Sequence, residues 1–444
     1  MRRNPLCFTL ITAAALAGAC VGTVSGAKSK PRPRPAPAAK APENVCISCH
    51  GKNTPVIVAQ WRQSEHSKAG VVCQDCHATK ANAPGAIKHF SNTVISPVVS
   101  PRVCGSCHTQ EEKEFTASHH AAGAKFIGSL ENVLGEMVEG GPAANQGCKQ
   151  CHGGPVRMGE DGKLDPDTWP NSGIGRINPD GSDGACSACH ARHMFSLAQA
   201  RDPEMCGKCH LGPDHPQLEV YNESKHGILF RTHRGKMNLA SESWVVGKDY
   251  TAAPTCATCH MSATAKQPVT HDIGTRISWT LRPVVSTRLV NWETRRAAMQ
   301  QVCHTCHSSR YVSNFYRQFD ASVNLYNEKF AKPAHEIMDK LRAENLITET
   351  PFDEKIEWTY YLLWHHEGRR ARHGAAMMGP DFVQWHGFFE VANRFYNEFL
   401  PEVKQLKPEL AAAVLAAEDH KWTSGLPKEE REKILQFYKQ RYGQ

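Results

Sequence analysis

The sequence predicts a mainly α-helical protein with little sheet, in which a loop-rich part with short helices is followed by a bundle of long helices. Three observations support this fold class. The pattern C-x-x-C-H recurs eight times between residues 46 and 307. The same part contains Gly- and Pro-rich stretches, such as 140–142 and 171–184, which interrupt regular structure. After residue 307 there is no cysteine, and apolar residues recur at helical spacing.

The N-terminus resembles an export signal. Arg2 and Arg3 precede a mostly apolar stretch that is too short to span a membrane as a helix. The small residues at 25–27 form a cleavage site, so residues 1–27 are predicted to be a signal peptide. Residues 16–20 also resemble the box that precedes a lipidated cysteine, which leaves attachment of a lipid to Cys20 as an alternative. Both interpretations place the protein outside the cytoplasm, in the periplasm.

The positive charge of the chain is concentrated in this leader and in the linker that follows. Residues 28–44 form a Pro/Ala/basic linker. Residues 1–42 contain seven Lys and Arg and no acidic residue, which leaves +1 of the total +8 for residues 43–444. A nearly neutral body does not indicate a nucleic-acid-binding protein.

The repeated motif has the spacing of a covalent haem site. Two thiols one helical turn apart add to the two vinyl groups of one porphyrin, and the histidine that follows is the proximal ligand of the iron. Sixteen of the 18 cysteines fit this pattern, and the other two, Cys7 and Cys20, lie in the leader. The motif cysteines are Cys46, Cys49, Cys73, Cys76, Cys104, Cys107, Cys148, Cys151, Cys186, Cys189, Cys206, Cys209, Cys256, Cys259, Cys303 and Cys306. The predicted proximal ligands are His50, His77, His108, His152, His190, His210, His260 and His307.

Paired cysteines have three other common uses in proteins. They are Cys₄ zinc sites, thiol–disulfide redox motifs and plain disulfides of an exported protein. None of them requires a histidine after every second cysteine, and here all eight copies have one. The sequence therefore predicts eight covalently bound c-type haems in a multihaem cytochrome c domain over residues 45–310.

An electron-transfer haem also needs a distal axial ligand, most often histidine in such chains. We selected seven of the sixteen remaining histidines for this role by their settings: His66, His89, His120, His193, His226, His271 and His373. His119, His365, His366 and His386 have similar settings. A single histidine is more often a surface or core residue, and the sequence does not show which histidine serves which haem.

The C-terminal part, residues 311–444, is predicted to be helical. The expected helices cover residues 315–341, 354–368, 382–406 and 429–442. Pro351 and Pro380 mark two of the starts. A plain helical bundle would explain this part, but the run from 360 to 387 is unusually rich in histidine and arginine, which indicates ligands and partners for haem propionates.

The eight motifs followed by this helical tail resemble the hydroxylamine oxidoreductase family of octahaem cytochromes c. The most specific pieces are the run His-His-Glu-Gly-Arg-Arg-Ala-Arg-His-Gly-Ala-Ala-Met-Met at 365–378 and the Trp-His-Gly at 385–387. The resemblance implies a homotrimer in which the fourth haem, on Cys148, Cys151 and His152, has an open distal side. It also implies that Asp214 and His215 are the catalytic Asp–His pair of the pocket.

One position departs from the oxidative members of that family. They carry a tyrosine after Pro-Asp, and it forms a covalent link to the catalytic porphyrin of a neighbouring subunit. Here the segment is Pro380-Asp381-Phe382, and residues 379–389 contain no tyrosine. The nearest downstream tyrosine is Tyr396. This departure implies a reductive enzyme that takes nitrite, and hydroxylamine, to ammonium.

Two alternatives remain open. One is an oxidase of hydroxylamine or hydrazine, and the other is a non-catalytic protein that carries or stores electrons. Asp214 and His215 are plausible proton donors for the reductive reaction. The expected electron donor is another cytochrome or a quinol-oxidising membrane complex.

Overall fold

The cysteine motifs are themselves helical. The computed structural model describes residues 45–127 and 134–443. Four motifs lie inside short α-helices, Val45–Asn53, Cys73–His77, Cys148–His152 and Cys256–His260. Residues three apart share one face of a helix, so both thiols of a motif lie on the same side. In these four copies the short helix therefore contains the motif.

Short helices and long connections make up the rest of the motif-bearing part, residues 45–308. Further α-helices are Pro55–Gln63, Glu65–Lys68, Pro101–Gly105, Thr109–Ala117, Gly123–Ile127, Gly141–Gln146, Leu197–Arg201, Pro203–Gly207, Gln217–Glu223, Lys225–His233 and Trp292–Cys303. Single turns of 3₁₀-helix cover Phe90–Asn92, Cys186–Ala188, Arg234–Lys236 and Ile273–Arg276, and Leu134–Val138 is a π-helical turn. The strands of the described chain are Ile87–Lys88 and Val94–Ile95, which pair antiparallel with Ile87 opposite Ile95. The prediction of a mainly α fold with little sheet is confirmed.

Long helices dominate from residue 309 onward, close to the boundary predicted at 310. The first runs through Ser309–Tyr326, Asn327–Ala331 and Lys332–Ala343. The second runs through Lys355–Tyr361, Leu362–Gly368 and Arg369–Met377. The third runs through Pro380–Val383, Gln384–Phe389, Glu390–Arg394, Phe395–Phe399 and Leu400–Leu406. Pro408–Ala416, Glu418–Ser424 and Lys428–Tyr442 complete the chain.

The third and the last of these helices agree with the predicted ones to within two residues. The first begins at Ser309, before the predicted start at 315, and Pro408–Ala416 and Glu418–Ser424 were not predicted. The second helix was expected to end at residue 368, but it continues to Met377 through a π-helical turn. The chain then reverses at Met378, whose φ of 63° is left-handed, and Pro380 opens the third helix. The added turns carry the second helix, with its histidines and arginines, along the motif-bearing part.

An aromatic core holds the long helices together. Phe330, Phe395 and Phe399 are buried there, and the rings of Phe330 and Phe395 meet edge to face with their centroids 5.4 Å apart. Two helices also approach closely at Gly374, where a Cβ would lie 2.8 Å from the backbone of Phe382. Any side chain at Gly374 would therefore push apart the second and third helices.

No helix in the described ranges has the length and apolar character needed to cross a membrane. The predicted signal peptide at 1–27, the linker at 28–44 and Cys20 lie outside the described residues. Those expectations therefore stay predictions.

Candidate functional site

One continuous cavity of about 2810 Å³ runs through the motif-bearing part. Seven motifs contribute both cysteines and the histidine to its lining, and the eighth contributes Cys303. The sixteen motif thiols are free, with no disulfide among them. A pocket for one small ligand is usually about 300–1,000 Å³. This cavity suits several large prosthetic groups better than a single small molecule.

Six motif histidines face a second histidine at a nearly constant distance. Two imidazoles that bind one metal from opposite sides, each by a bond of about 2 Å, have ring centroids about 6 Å apart. The observed centroid distances are 5.9 Å for His50 and His89, 6.1 Å for His108 and His66, 6.3 Å for His77 and His193, 6.0 Å for His210 and His120, 6.4 Å for His190 and His271, and 6.1 Å for His307 and His226. Six of the seven distal histidines chosen from the sequence thus lie opposite a motif histidine.

Burial keeps several of the motif imidazoles in the form that binds a metal. It lowers the pKa of His190 and His260 to about 4 and that of His210 to about 3. A neutral ring has a free lone pair for a metal, whereas a protonated ring has none. The donor set therefore fits haem iron: paired thiols, a neutral histidine after them and a second histidine across the cavity.

His373 is the selected histidine that the structure places differently. It is buried, and burial followed by the charge of Arg372 holds its pKa well below the usual value. In the described chain it forms no ring pair with a motif histidine. Among the described residues, His260 is the motif histidine without a ring partner, and His119 lies beside the segment that contacts it. A Cβ on Gly274 would lie 3.8 Å from Cδ2 of His119, and the adjacent Ile273 backbone faces the His260 ring.

The fourth motif faces a group of polar and charged side chains. His152 and His215 have ring centroids 6.4 Å apart, and Nε2 of His215 lies 3.6 Å from Oδ2 of Asp214. The three catalytic residues predicted from the sequence, His152, Asp214 and His215, are therefore brought together. Both Asp214 and His215 are largely but not completely buried, so solvent protons can reach them.

Three residues of the second long helix complete this pocket. The Arg369 guanidinium donates to Oδ2 of Asp214 at 3.2 Å and to Nε2 of His365 at 2.8 Å. The Tyr361 hydroxyl lies 3.1 Å from the same nitrogen of His365. Tyr361, His365 and Arg369 are four residues apart, a spacing that keeps them on one side of the helix. The helical and His/Arg-rich character of this segment indicated a site, but not its contact with Asp214.

The hydrogen bonds fix the protonation of His365. Arginine only donates, so Nε2 of His365 accepts, and the neutral ring carries its proton on Nδ1. Burial, then the positive charge of Arg369, lowers the pKa of His365 to about 2. His365 is therefore neutral at any pH near 7 and does not act as a proton reservoir.

Arg369 is held rigidly in this arrangement. Its Nε donates to the Arg282 carbonyl at 2.8 Å, and its guanidinium carbon lies 5.0 Å from the centre of the Trp364 ring. These contacts fix a buried positive charge beside the Asp214 carboxylate. The pocket thus offers a fixed cation for an anionic substrate, and Asp214, His215 and Tyr361 as groups that can hold or pass protons.

Phe382 lies at the start of the third helix, beside the turn. Its backbone packs against Gly374, and its ring centroid is 5.7 Å from that of His386. The cavity lining contributed by the described residues does not include it. A phenylalanine ring cannot form the tyrosine-type link expected of oxidative enzymes.

Two family profiles match the motif-bearing part of the chain. The profile described as "Seven times multi-haem cytochrome CxxCH" matches residues 179–352, and the profile "Cytochrome c552" matches residues 54–140. The chain is 25% identical to the "Probable nitrite reductase-hydroxylamine oxidoreductase fusion protein" of Kuenenia stuttgartiensis, over 69% of this chain and 38% of that protein. It is 24% identical to "Multiheme cytochrome MtrA" of Shewanella baltica, over 50% of this chain and 57% of that protein. The chain thus spans less than two thirds of either relative.

Solved structures share the fold. A "Hypothetical multiheme protein" superposes with a TM-score of 0.71 at 24% identity, over 84% of this chain and 96% of that one. The "reducing HAO-like protein complex Kustc0457/Kustc0458" of Kuenenia stuttgartiensis superposes with a TM-score of 0.60 at 20% identity, over 84% of this chain and 86% of that one. The expected resemblance to multihaem cytochromes c and to the hydroxylamine oxidoreductase-like proteins is confirmed.

Proposed function

We propose that this multihaem cytochrome c, which is similar to hydroxylamine oxidoreductase-like proteins, is a periplasmic octahaem reductase that converts nitrite, and hydroxylamine, to ammonium. The reaction takes place at the haem of the fourth motif, on Cys148, Cys151 and His152. The observation that carries the proposal is the cluster of Asp214, His215 and Arg369 beside His152. Export through residues 1–27 and assembly into a homotrimer are parts of the same proposal.

The bound haem supplies electrons and a place for the nitrogen atom of the substrate. The chain's own residues supply the rest of the chemistry. Arg369 attracts and orients the nitrite anion, because its charge is buried and held by three hydrogen bonds. Asp214 and His215 pass protons from solvent, which the reaction needs because nitrite takes up six electrons and eight protons to become ammonium and two waters.

A second function is favoured by one distance. The 6.4 Å between the rings of His152 and His215 equals that between His190 and His271. His215 could therefore serve as an axial ligand, which would close the fourth haem to substrate and leave a protein that only transfers electrons. The two functions differ in the spin state of the ferric protein.

The decisive experiment measures ammonium formed from nitrite by the purified holoprotein with a reduced viologen as donor. We expect ammonium as the product and a high-spin ferric signal in the electron paramagnetic resonance spectrum that nitrite alters. Absence of turnover with both nitrite and hydroxylamine would exclude the reductase. Eight low-spin haems that nitrite leaves unchanged would favour electron transfer alone.

The oxidative alternative has its own signature. A haem linked to tyrosine absorbs at a longer wavelength in the reduced protein, and we expect the wild type to lack this band. The Phe382→Tyr variant tests whether position 382 corresponds to the cross-linking tyrosine of the oxidative enzymes. In this variant, residue 382 has the phenol that the link requires. A long-wavelength band already present in the wild type would contradict the reductive assignment.

A further inference from the structure

Three of the motifs reach the surface of the protein. Cys49, Cys107 and Cys306 are exposed, whereas the other motif thiols are partly buried. Electron transfer slows steeply with distance, so a redox partner must approach a haem at the surface. The first, third and eighth motifs are therefore the candidate places where electrons enter or leave.

The eighth motif has an exposed apolar centre. The Tyr311 ring stacks on the ring of His307, with centroids 4.6 Å apart and planes 14° apart, and Tyr311 is 52% exposed. The helix Lys225–His233 turns His226 toward His307 and leaves Ile228 and Leu229 in solvent, 48% and 42% exposed. Three exposed apolar side chains thus belong to the two segments that carry the His226–His307 pair.

Three positively charged side chains lie next to these residues in the sequence or close to the motif in the fold. Lys225 precedes His226, and Arg310 precedes Tyr311. Lys248 follows Gly247, where a Cβ would lie 2.6 Å from Cγ2 of Thr305 within the motif. All three cations are exposed, and none of them forms an ion pair with another described residue.

The acidic residue that follows Lys248 in the sequence, Asp249, already accepts hydrogen bonds from its own loop. Asp249 accepts hydrogen bonds from Oγ of Ser243 at 2.6 Å and from the backbone nitrogen of Val245 at 2.8 Å. Asp249 is held within its own loop, where it attracts Lys248 at longer range but forms no ion pair with it. We call Lys225, Ile228, Leu229, Lys248, Arg310 and Tyr311 the eighth-motif surface.

The third motif has the opposite charge. The helix Thr109–Ala117 begins directly after His108 and carries Glu111, Glu112 and Glu114 against a single lysine, Lys113. An acidic partner would be repelled by the third motif and attracted by the eighth. Charge therefore distinguishes the two surfaces.

We propose that the eighth-motif surface is the docking site for an acidic one-electron redox protein. A partner with a carboxylate-rich rim around its redox centre would pair with Lys225, Lys248 and Arg310 and pack its apolar centre on Ile228, Leu229 and Tyr311. One electron passes from the reduced partner, which is oxidised, to the ferric haem on Cys303, Cys306 and His307, which is reduced. No bond forms or breaks. The proposal deepens the proposed function by naming the class of electron donor.

The test uses the holoprotein and a pre-reduced plant-type [2Fe–2S] ferredoxin as the acidic probe. Stopped-flow absorbance gives the second-order rate constant of haem reduction, and calorimetric titration with oxidised ferredoxin gives the affinity. The test variant is Lys225→Glu/Arg310→Glu. The matched control is Lys80→Glu/Lys113→Glu, which makes the same change in net charge at two exposed lysines near the second and third motifs.

At low ionic strength we expect the test variant to be reduced about tenfold more slowly than the wild type and to bind more weakly, because it loses electrostatic steering. The difference should shrink as salt screens the charges. The control should stay within twofold of the wild type. Equal slowing of both variants, or no slowing of the test variant, would overturn the docking site. Failure of viologen-driven nitrite reduction would instead refute the proposed function, because ferredoxin oxidation does not require nitrite.

Discussion

Replacing Asp214 by asparagine is the sharpest test of the fourth-motif pocket. The substitution keeps the size of the side chain and removes its charge. In the wild type, Oδ2 of Asp214 lies 3.2 Å from the Arg369 guanidinium, and the two side chains are 18% and 5% exposed. Removing one partner of a buried ion pair typically costs about 3–5 kcal/mol of stability. We expect the lower end, because Arg369 keeps its hydrogen bond to the Arg282 carbonyl.

The effect on catalysis is separate from that on stability. A proton-transferring group usually contributes about 10²–10⁴ in rate, equivalent to about 3–5 kcal/mol of activation free energy. Asp214→Asn should therefore lower kcat for nitrite at least a hundredfold. KM should stay the same or fall, because Arg369 loses its neutralising partner and attracts the nitrite anion more strongly. A large fall in kcat without a rise in KM distinguishes a lost proton donor from a damaged pocket.

The assay follows ammonium formation with a viologen donor, after the haem content and spectrum of the variant have been matched to the wild type. Asp339→Asn is the control, since Asp339 also pairs with a histidine, His335, at 3.7 Å but on an exposed helix face. It should change stability by less than about 0.5 kcal/mol and leave kcat unchanged. If Asp214→Asn retains half of the wild-type kcat, the assigned role of Asp214 is wrong.

Three further predictions concern the cofactor and the fold. Cys148→Ser/Cys151→Ser should contain one covalent haem fewer by pyridine haemochrome assay and lose nitrite turnover; retained turnover would place catalysis at another haem. Asp320 is partly desolvated, which raises its pKa, but its hydrogen bonds to arginine outweigh this effect and lower the pKa to about 2. The Asp320 carboxylate therefore stabilises the fold at pH values above its unfolded pKa near 4, and this stabilisation is lost as the pH falls toward 2. Asp320→Asn should thus be about 1–2 kcal/mol less stable at pH 7, with the difference vanishing in acid-unfolding curves at pH 2. Phe395→Ala should lower the free energy of unfolding by about 3–5 kcal/mol, measured by denaturant titration, whereas the exposed Phe389→Ala should change it by less than about 0.5 kcal/mol; similar losses for both would contradict the position of the core.

Much of the local structure could be predicted from the sequence. The long helices follow from apolar spacing, and the start of the third at Pro380 lies close to the predicted position, whereas the first begins at Ser309, before the predicted residue 315. The second helix was predicted too short, because the polar run from 365 to 373 has little apolar periodicity. Contacts across the molecule stabilise that run, as when Arg369 bonds the Arg282 carbonyl. The spacing of apolar residues along the chain does not reveal such long-range contacts.

The identity of the cofactor could be predicted from the sequence alone, because covalent attachment of haem needs two thiols and a histidine within five consecutive residues. The axial pairs and the pocket were decided only by the tertiary structure. His119, which the sequence did not single out above its neighbours, lies beside the 273–274 segment that contacts His260, whereas the selected His373 forms no ring pair with a motif histidine in the described chain. Asp214 and Arg369 are 155 residues apart and meet because the second long helix packs against the helix Gln217–Glu223, which follows Asp214 closely in the chain. A coordination bond or a buried ion pair depends on distance in space, and spacing along the chain carries no information about it.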